Sequence, residues 1–304
     1  MGWARPVSET FRPTGKGARA SVGQPNRGAG RSQGEIFATP GQAPCPGLRH
    51  PPQAGEARLA PGLLPYARGR ALSTAGRGPV CSLAVRPLAF IGGTGPQGLG
   101  LALRFAAAGA PVVIGSRAAE RAAAAAETIR AAVPGASVRG HENAEAMARS
   151  ERLVLTFPFA GLAGFLAQAR EALVGKLVID VIVPLAVRDG FFELTPVGGA
   201  ASVGELIQQT IPAARVVSAF KNHSAEKLRD LAVPLEGDVL LCGNDAAARA
   251  EVAALVGLLP GLRAVDAGGI ANARWLEAIT ALLLNLNRRH RARATIAILG
   301  LPPT

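Results

Sequence analysis

The chain has 304 residues, enough for one or two domains with a full hydrophobic core, and it carries a net charge of +12. Its three cysteines, Cys45, Cys81 and Cys242, form no closely spaced pair, which argues against a disulfide framework or a zinc site. No apolar run approaches the roughly 18 residues that span a bilayer. We therefore expect a soluble, cytoplasmic protein without a metal.

Residues 1–85 differ in composition from the rest of the chain. They contain 11 of the 23 prolines and 14 of the 37 glycines, with 11 Lys and Arg against 3 Asp and Glu. Such a segment buries too little apolar surface to offset the entropy of ordering it, so we expect disorder. It has no secretory apolar region, and we favour a natural start near Val80 or Val85. No nucleic-acid motif accompanies the basic residues, so we expect no nucleic-acid partner.

Residues 88–98 organise the remainder of the chain. A short apolar run is followed by a glycine-rich turn and then by a helical pattern over 99–108, which is the setting of a dinucleotide-binding fingerprint. Gly93, Gly95 and Gly98 fit G-x-G-x-x-G. In that fingerprint the first glycine allows the turn, the second lets a pyrophosphate approach, and the third lets helix and strand pack closely. The phosphates would then sit at the helix N-terminus.

The end of the next apolar run indicates which dinucleotide is bound. About twenty residues after the motif, where selectivity for NAD usually requires Asp or Glu, the chain has Ser116 and Arg117. A hydroxyl and a guanidinium favour a 2′-phosphate, and Arg121 lies one helical turn further on. The pattern predicts NADP rather than NAD.

From residue 86 onward, apolar strands alternate with helical stretches, which predicts a Rossmann-type, doubly wound α/β fold with a parallel sheet. The predicted strands are 88–91, 111–115, 137–139, 152–157, 176–181, 214–220, 239–242 and 262–265. The predicted helices are 99–108, 118–132, 144–149, 161–173, 203–209, 224–231, 245–258 and 270–289. We expect residues 86–304 to form one NADP-binding domain with a small C-terminal helical and α/β extension.

Three further residues or segments have predicted roles. The last helix is apolar on most faces, so we expect it to pack across the domain or between the subunits of a homodimer. Asp180 is interpreted as a carboxylate that caps nearby N–H groups rather than as a catalytic group. Cys242 is interpreted as a small buried residue.

The chain from 86 to 301 resembles the NADPH-dependent reductases of the deazaflavin coenzyme F420. The segments that carry the resemblance are 91–98, 114–117, 155–159, 217–220, 242–245, 261–268 and the closing helix 272–289. The resemblance implies hydride transfer between NADP(H) and coenzyme F420. Such transfer requires alignment of two rings and exclusion of water, with no obligatory catalytic acid or nucleophile.

The resemblance also implies which residues bind each partner. Thr94, Gly95, Pro96 and Gln97 would hold the pyrophosphate, and Ser116, Arg117 and Arg121 the 2′-phosphate. Phe157, Pro158 and Phe159 would line the nicotinamide side. Val183, Pro184 and the segment 221–225, with Lys221, His223 and Ala225, would line the deazaflavin pocket. The family often has His-Asn or His-Thr where this chain has Lys221 and Asn222.

Two alternatives remain open from the sequence. One is an NADPH-dependent reductase of a small carbonyl or imine substrate, which would need a proton donor such as Lys221 or His223. The other is a non-enzymatic, NADP-sensing protein whose basic N-terminal segment binds a partner.

Overall fold

The computed structural model of the protein describes residues 86–301. The predicted disorder of residues 1–85 and the start near Val80 or Val85 lie outside the described residues. The described part contains ten strands and eight α-helices. The strands are β1 (Leu88–Ile91), β2 (Val112–Ser116), β3 (Val138–Glu142), β4 (Arg152–Leu155), β5 (Leu177–Asp180), β6 (Leu185–Arg188), β7 (Phe191–Leu194), β8 (Arg215–Ser218), β9 (Gly237–Gly243) and β10 (Leu262–Asp266). The helices are α1 (Pro96–Ala107), α2 (Ala119–Ala132), α3 (Asn143–Ala148), α4 (Leu162–Ala169), α5 (Val203–Thr210), α6 (Ala225–Arg229), α7 (Ala246–Val256) and α8 (Ala273–His290).

Eight of these strands form one sheet in the order β10-β9-β8-β5-β4-β1-β2-β3. The chain first moves from β1 through β2 to β3, and then crosses back to β4 on the other side of β1. This reversal makes the Rossmann-type doubly wound fold that the sequence predicts, with a crevice at the carboxyl ends of β1 and β4. The parallel order is broken once, because β9 pairs antiparallel to β8 and β10 follows the direction of β9.

Alternate residues of the central strand face two separate hydrophobic cores. Leu88 and Phe90 pack with buried residues of α1, α2, α6 and α7 on one side of the sheet. Ala89 and Ile91 pack with residues of α3, α4, α5 and α8 on the other. All four side chains are fully buried, so β1 has no polar face, as expected of a strand covered by helices on both sides.

Two predicted segments differ from the structure. The predicted helix 161–173 is shorter, because α4 is flanked by single 3₁₀ turns at Phe159–Gly161 and Glu171–Leu173. Residues 185–194, for which the sequence predicts no element, form the antiparallel hairpin β6–β7. The side-chain amide of Asn285 holds this hairpin to α8, accepting from Phe192 N at 2.8 Å and donating to Phe192 O at 2.9 Å.

Within residues 86–301, no helix is long and apolar enough to cross a membrane. The same residues contain no cluster of His, Cys, Asp and Glu that could hold a metal ion. Cys242 is fully buried with a free thiol, as predicted, and burial raises its pKa to about 12. This thiol is therefore protonated and unreactive at neutral pH.

Candidate functional site

The glycine-rich turn after β1 is the first part of the site. Gly92 has a left-handed backbone, with φ of 72°, and a Cβ there would lie 2.7 Å from Phe157 Cβ. The turn therefore requires Gly92, which the sequence analysis did not single out, in addition to the predicted Gly93. At Gly93 a Cβ would instead lie 2.7 Å from the carbonyl oxygen of Phe90. A side chain at either position would overlap atoms of β1 or of the loop that follows β4.

Gly98 allows α1 to pack closely against the sheet. A Cβ there would lie 2.5 Å from Thr156 Oγ1 and 2.8 Å from Gly93 Cα. Pro96 occupies the first turn of α1, and the N–H of Leu99 donates to Gly95 O at 2.8 Å. The earlier N–H groups of a helix have no intrahelical acceptor, so this end of α1 is suited to bind an anion.

A cavity of about 490 Å³ lies beside this turn, and we call it the glycine-loop cavity. The predicted site residues that line it are Thr94, Gly95, Ser116, Arg117, Arg121, Phe157 and Pro158. Asn143, which the sequence analysis missed, also lines it and accepts a hydrogen bond from Gly92 N at 3.3 Å. No local sequence pattern indicates Asn143, since it belongs to a different strand–helix unit from the turn.

Ser116, Arg117 and Arg121 make up the polar end of the glycine-loop cavity. Ser116 ends β2 and is buried, with its hydroxyl accepting from Ala118 N at 3.5 Å. Arg117 and Arg121 are exposed, and within the part of the chain that the structure describes neither guanidinium has a partner. Two unpaired guanidinium groups beside a hydroxyl form a site to which a phosphate can bind at little desolvation cost.

A second cavity of about 600 Å³ is lined largely by the C-terminal half of the chain, and we call it the C-terminal cavity. The predicted site residues that line it are Gly95, Pro96, Gln97, Phe157, Pro158, Phe159, Val183, Lys221, His223 and Ala225. Gly93, Gly98 and Pro184 are among the lining residues of neither cavity. Pro184 instead holds the base of the hairpin, because its carbonyl accepts from Thr195 N at 2.7 Å.

Four residues line both cavities: Gly95, Thr156, Phe157 and Pro158. Thr156 is fixed to β1, since its N–H and its hydroxyl both donate to Ile91 O, at 3.0 and 3.1 Å. The Phe157 ring packs against Phe165 with centroids 4.8 Å apart. The two cavities thus meet at a rigid, mainly apolar wall.

Gln97 connects the two halves of the site. Its side-chain amide donates to Phe220 O at 3.3 Å, across the crevice from α1. Phe220 itself is fully buried and has a left-handed backbone, with φ of 56°, which is uncommon for an aromatic residue. A backbone in this uncommon region is strained and persists only where the surrounding structure stabilises it. At Phe220 this conformation turns the chain after β8, which places Lys221 at the wall of the C-terminal cavity.

Lys221 lies in a buried network of charged groups. Its ammonium donates to Asp180 Oδ2 at 2.7 Å, to Glu277 Oε1 at 3.3 Å and to the carbonyl oxygen of Ile182. Asp180 also accepts from Ile182 N at 2.9 Å and from Ser218 Oγ at 2.7 Å. Asp180 therefore caps a nearby N–H as predicted, but it is a fully buried strand residue that also pairs with Lys221.

The network joins three distant parts of the chain around the C-terminal cavity. Glu277, on α8, accepts from Val203 N at 3.0 Å through the same oxygen that faces Lys221. Its other carboxylate oxygen is buried and has no hydrogen-bond partner among the described residues. Burial, with Asp180 nearby, raises the pKa of Glu277 to about 7, against the opposing effect of Lys221. The carboxyl group therefore titrates near neutral pH.

His223 lines the same cavity but does not behave as an acid. Its ring is buried, and neither ring nitrogen has a hydrogen-bond partner within residues 86–301. Burial and then the nearby Lys227 lower the pKa of His223 to about 4, although Asp238 opposes them. At neutral pH the imidazole of His223 is therefore uncharged and a poor general acid, and the ammonium of Lys221 already donates to Asp180, Glu277 and Ile182. The proton donor that a carbonyl or imine reductase would need is thus not supplied by the two predicted candidates.

The end of α8 and the segment after it also line the C-terminal cavity, and the sequence analysis did not assign them to the site. They include Asn287, Ala292, Arg293 and Ala294. The run of basic residues at the end of the helix was visible in the sequence. No sequence pattern near it, however, indicates that the following segment folds back over a cavity.

Comparison with known proteins places the chain among nucleotide-dependent reductases. Residues 87–184 match the family described as NADP oxidoreductase, coenzyme F420-dependent. The chain is 40% identical over 225 residues to an F420-dependent NADP reductase of Methanothermobacter marburgensis, covering 71% of this chain and 99% of the relative. It is 38% identical to the F420-dependent NADP reductase of Methanocaldococcus jannaschii, covering 68% of this chain and 95% of that one.

Among solved structures, the chain is similar to a protein from Arthrobacter sp. FB24, whose assignment as an F420-dependent NADP-reductase is provisional. The TM-score is 0.60 at 30% identity, over 70% of this chain and 99% of that structure.

Proposed function

The chain belongs to the family of coenzyme F420-dependent NADP oxidoreductases, and from this premise we infer that it transfers a hydride between NADP(H) and coenzyme F420. It is an NADP-dependent oxidoreductase. The observation that carries the proposal is the wall shared by two cavities, one beside the glycine-rich turn and one formed by the C-terminal half. A hydride donor and a hydride acceptor need such adjacent sites.

The glycine-loop cavity fits NADP(H). Gly95 presents open space at its Cα, because a Cβ there would meet nothing closer than 3.8 Å, so the backbone leaves room for a pyrophosphate at the start of α1. We assign the pyrophosphate to residues 94–97 and the 2′-phosphate to Ser116, Arg117 and Arg121. Because the guanidinium groups of Arg117 and Arg121 have no other partner within residues 86–301, binding a phosphate breaks no ion pair there.

The C-terminal cavity fits a flat, largely apolar ring system. Phe159, Val183 and Ala225 supply apolar surface, and the uncharged ring of His223 lies beside them. Direct hydride transfer is the chemistry that the two coenzymes would supply when bound in adjacent cavities. The residues of the shared wall would then align the rings and exclude water during hydride transfer.

The test is the time course of absorbance when reduced deazaflavin is mixed with the purified protein and NADP, and again with NAD. Rapid reoxidation with NADP alone is the expected result. Tight binding of NADP without reoxidation would retain the nucleotide site and contradict the deazaflavin as hydride partner. Equal rates with NAD would contradict the assignment of Ser116, Arg117 and Arg121.

The homodimer expected from the sequence is also a proposal. On α8, Trp275 and Leu282 are 57% and 58% exposed, and on the adjoining hairpin Phe191 is 63% exposed. A second copy of the chain would remove this apolar surface from water. Light scattering of the protein and of a Leu282→Glu variant tests this, with a dimer and a monomer as the expected masses. A monomeric mass for the unmodified protein would contradict it.

The cytoplasmic location is likewise proposed from chemistry. Both coenzymes are diffusible anions that do not cross a bilayer unaided, so the enzyme and the two pools must share a compartment. Fractionation of the source cells should recover the protein with other cytoplasmic enzymes, and recovery outside the cell would contradict the proposal.

A further inference from the structure

A run of basic residues lies at the rim of the C-terminal cavity. Positions 288–293 contain four arginines and one histidine, at the end of α8 and in the turn after it. Asn287 and Arg293, on either side of this turn, line the cavity. Arg293 therefore lies at the cavity mouth and Arg291 precedes it by two residues in the same turn, whereas the interior of the cavity offers mainly apolar surface.

The chain after α8 is held in a fixed path. Arg291 reverses the chain with a left-handed backbone, and Asn287 binds the returning segment, accepting from Ala294 N at 2.6 Å through its side chain. The segment then joins the edge of β9, where Ile296 O accepts from Asp238 N at 2.8 Å. We call residues 291–298 the C-terminal strap. Because the strap is attached at both ends, its arginines are positioned by the fold.

The charges at this rim are mostly uncompensated. Arg293 is paired with Glu226 of α6, which also lines the cavity. Arg289 and Arg291 are exposed, and in the part of the chain that the structure describes neither has a partner. Arg288 donates to the carbonyl oxygen of Gly190 in the hairpin. Among the described residues, Arg293 is thus the one arginine of this run that is paired with a carboxylate.

We propose that the arginines of this rim, with Arg291 and Arg293 foremost, bind the anionic side chain of the deazaflavin substrate. The inference rests on the proposed function, because coenzyme F420 carries a phosphodiester and a glutamyl chain on its ring system. When the ring system occupies the C-terminal cavity, this side chain must extend into solvent through the opening of that cavity. Guanidinium groups bind phosphodiester and carboxylate oxygens through forked, charge-assisted hydrogen bonds.

The pairing of Arg293 with Glu226 gives the rim a specific behaviour. Glu226 repels an anionic side chain and competes with it for Arg293. Removing the carboxylate should therefore strengthen binding of the tailed substrate, while removing the arginines should weaken it. A merely structural role for the ion pair would make both changes act in the same direction.

The test measures equilibrium binding by deazaflavin fluorescence, for the complete coenzyme and for the tail-free deazaflavin alcohol that lacks the phosphodiester. The quantity compared is the ratio of the two Kd values, tail-free over complete. In the double variant with Arg291→Gln and Arg293→Gln, this ratio should fall about 10-fold. In Glu226→Gln it should rise about 3-fold. Arg139→Gln, at an exposed arginine of the edge strand β3, is the matched control.

Three results would overturn the inference. One is a ratio near 1 in the unmodified protein, and another is an unchanged ratio in the double arginine variant. The third is failure of the unmodified protein to bind either compound, which would overturn the proposed function as well. Binding and turnover of the tail-free compound, with no effect of the arginines on the ratio, would retain the proposed function and remove only the arginine rim.

Discussion

The two cavities are built in different ways, although four residues are common to both. The glycine-loop cavity takes its residues from the first half of the described chain, from 92 to 168, and its guanidinium groups are exposed and unpaired. The C-terminal cavity joins residues 95–97 to residues as distant as 294, and the charges behind its wall are buried and paired. The glycine-loop cavity keeps its charges free for a ligand, whereas the buried charges behind the wall of the C-terminal cavity hold that wall together.

This difference predicts where substitutions affect stability and where they affect binding. Exposed, unpaired charges contribute little to folding, so changing them should alter affinity alone. Buried, paired charges leave an uncompensated partner when one is removed, so changing them should first alter stability. Four predictions test this division, in order of decreasing effect.

Replacing Lys221 should give the largest effect. In Lys221→Met, Asp180 and Glu277 lose their common cation while remaining buried, and the free energy of unfolding should fall by about 3–5 kcal/mol. Urea unfolding measures this change. Arg117→Met is the matched control at the other cavity and should change stability by less than about 0.5 kcal/mol. A loss below about 1 kcal/mol for Lys221→Met would remove the distinction between the cavities.

The same network should make stability depend on pH through Glu277. The pKa of this carboxyl is raised from 4.5 to about 7 in the folded protein, so between these values the folded state holds a proton that the unfolded state releases. Stability from this group is therefore present below about pH 4.5 and is lost as pH rises to about 7, by up to about 3 kcal/mol.

Comparison with Glu277→Gln isolates that contribution. The lowered pKa of His223 acts in the opposite direction, because its contribution is present above pH 6.5 and is lost as pH falls towards 4. The His223 contribution is common to both proteins and cancels in the difference. Unfolding measured at several pH values should show the advantage of the unmodified protein over the variant shrinking from pH 4.5 to 7. A pH-independent difference would contradict the raised pKa.

Replacing Arg117 tests the glycine-loop cavity. Arg117→Ala should raise the KM for NADP about 10- to 100-fold, as loss of a charge-assisted contact with the 2′-phosphate predicts, with a smaller effect on the reaction with NAD. Arg121→Ala should act in the same direction. Steady-state kinetics with both nucleotides measure the change, and Arg170→Ala, at an exposed arginine that lines neither cavity, should leave both constants unaltered.

The smallest effect concerns close packing of the glycine-rich turn. In Gly98→Ala the new Cβ would overlap Thr156 Oγ1 and Gly93 Cα, and we expect a loss of about 1–3 kcal/mol in unfolding free energy. Gly164→Ala, in α4, introduces a Cβ with nothing within 4 Å and should be neutral or stabilising by up to about 1 kcal/mol. Thermal unfolding compares the two, and equal losses would argue against the tight contact at Gly98.

The sequence predicted the lining of the glycine-loop cavity more fully than that of the C-terminal cavity. The strand, turn and helix from Leu88 to Ala107 form one continuous unit, so its periodicity and its glycines are visible in a short window. Within it, Gly93 was predicted to allow the turn, but the additional requirement for glycine at Gly92 was not. Two adjacent glycines do not show from sequence which of them adopts the left-handed backbone.

Neither the hairpin β6–β7 nor the antiparallel direction of β9 could be predicted from a short stretch of sequence. The hairpin has no buried face of its own to create a clear alternation, since three of the four residues of β7 are exposed, and Asn285 of α8 holds it in place. The direction of β9 depends on how the chain returns after α6, which hydrophobic patterning does not record.

The sequence by itself determined the doubly wound α/β class, the place of the dinucleotide turn and the preference for a 2′-phosphate, because each depends on residues close together in the chain. Only the tertiary structure decided that Lys221 joins Asp180 to Glu277, and that the C-terminal strap returns over the second cavity. Contacts over such separations depend on the packing of whole elements against one another. The sequence therefore shows which chemical group each residue carries, whereas the tertiary fold decides which other groups that residue contacts.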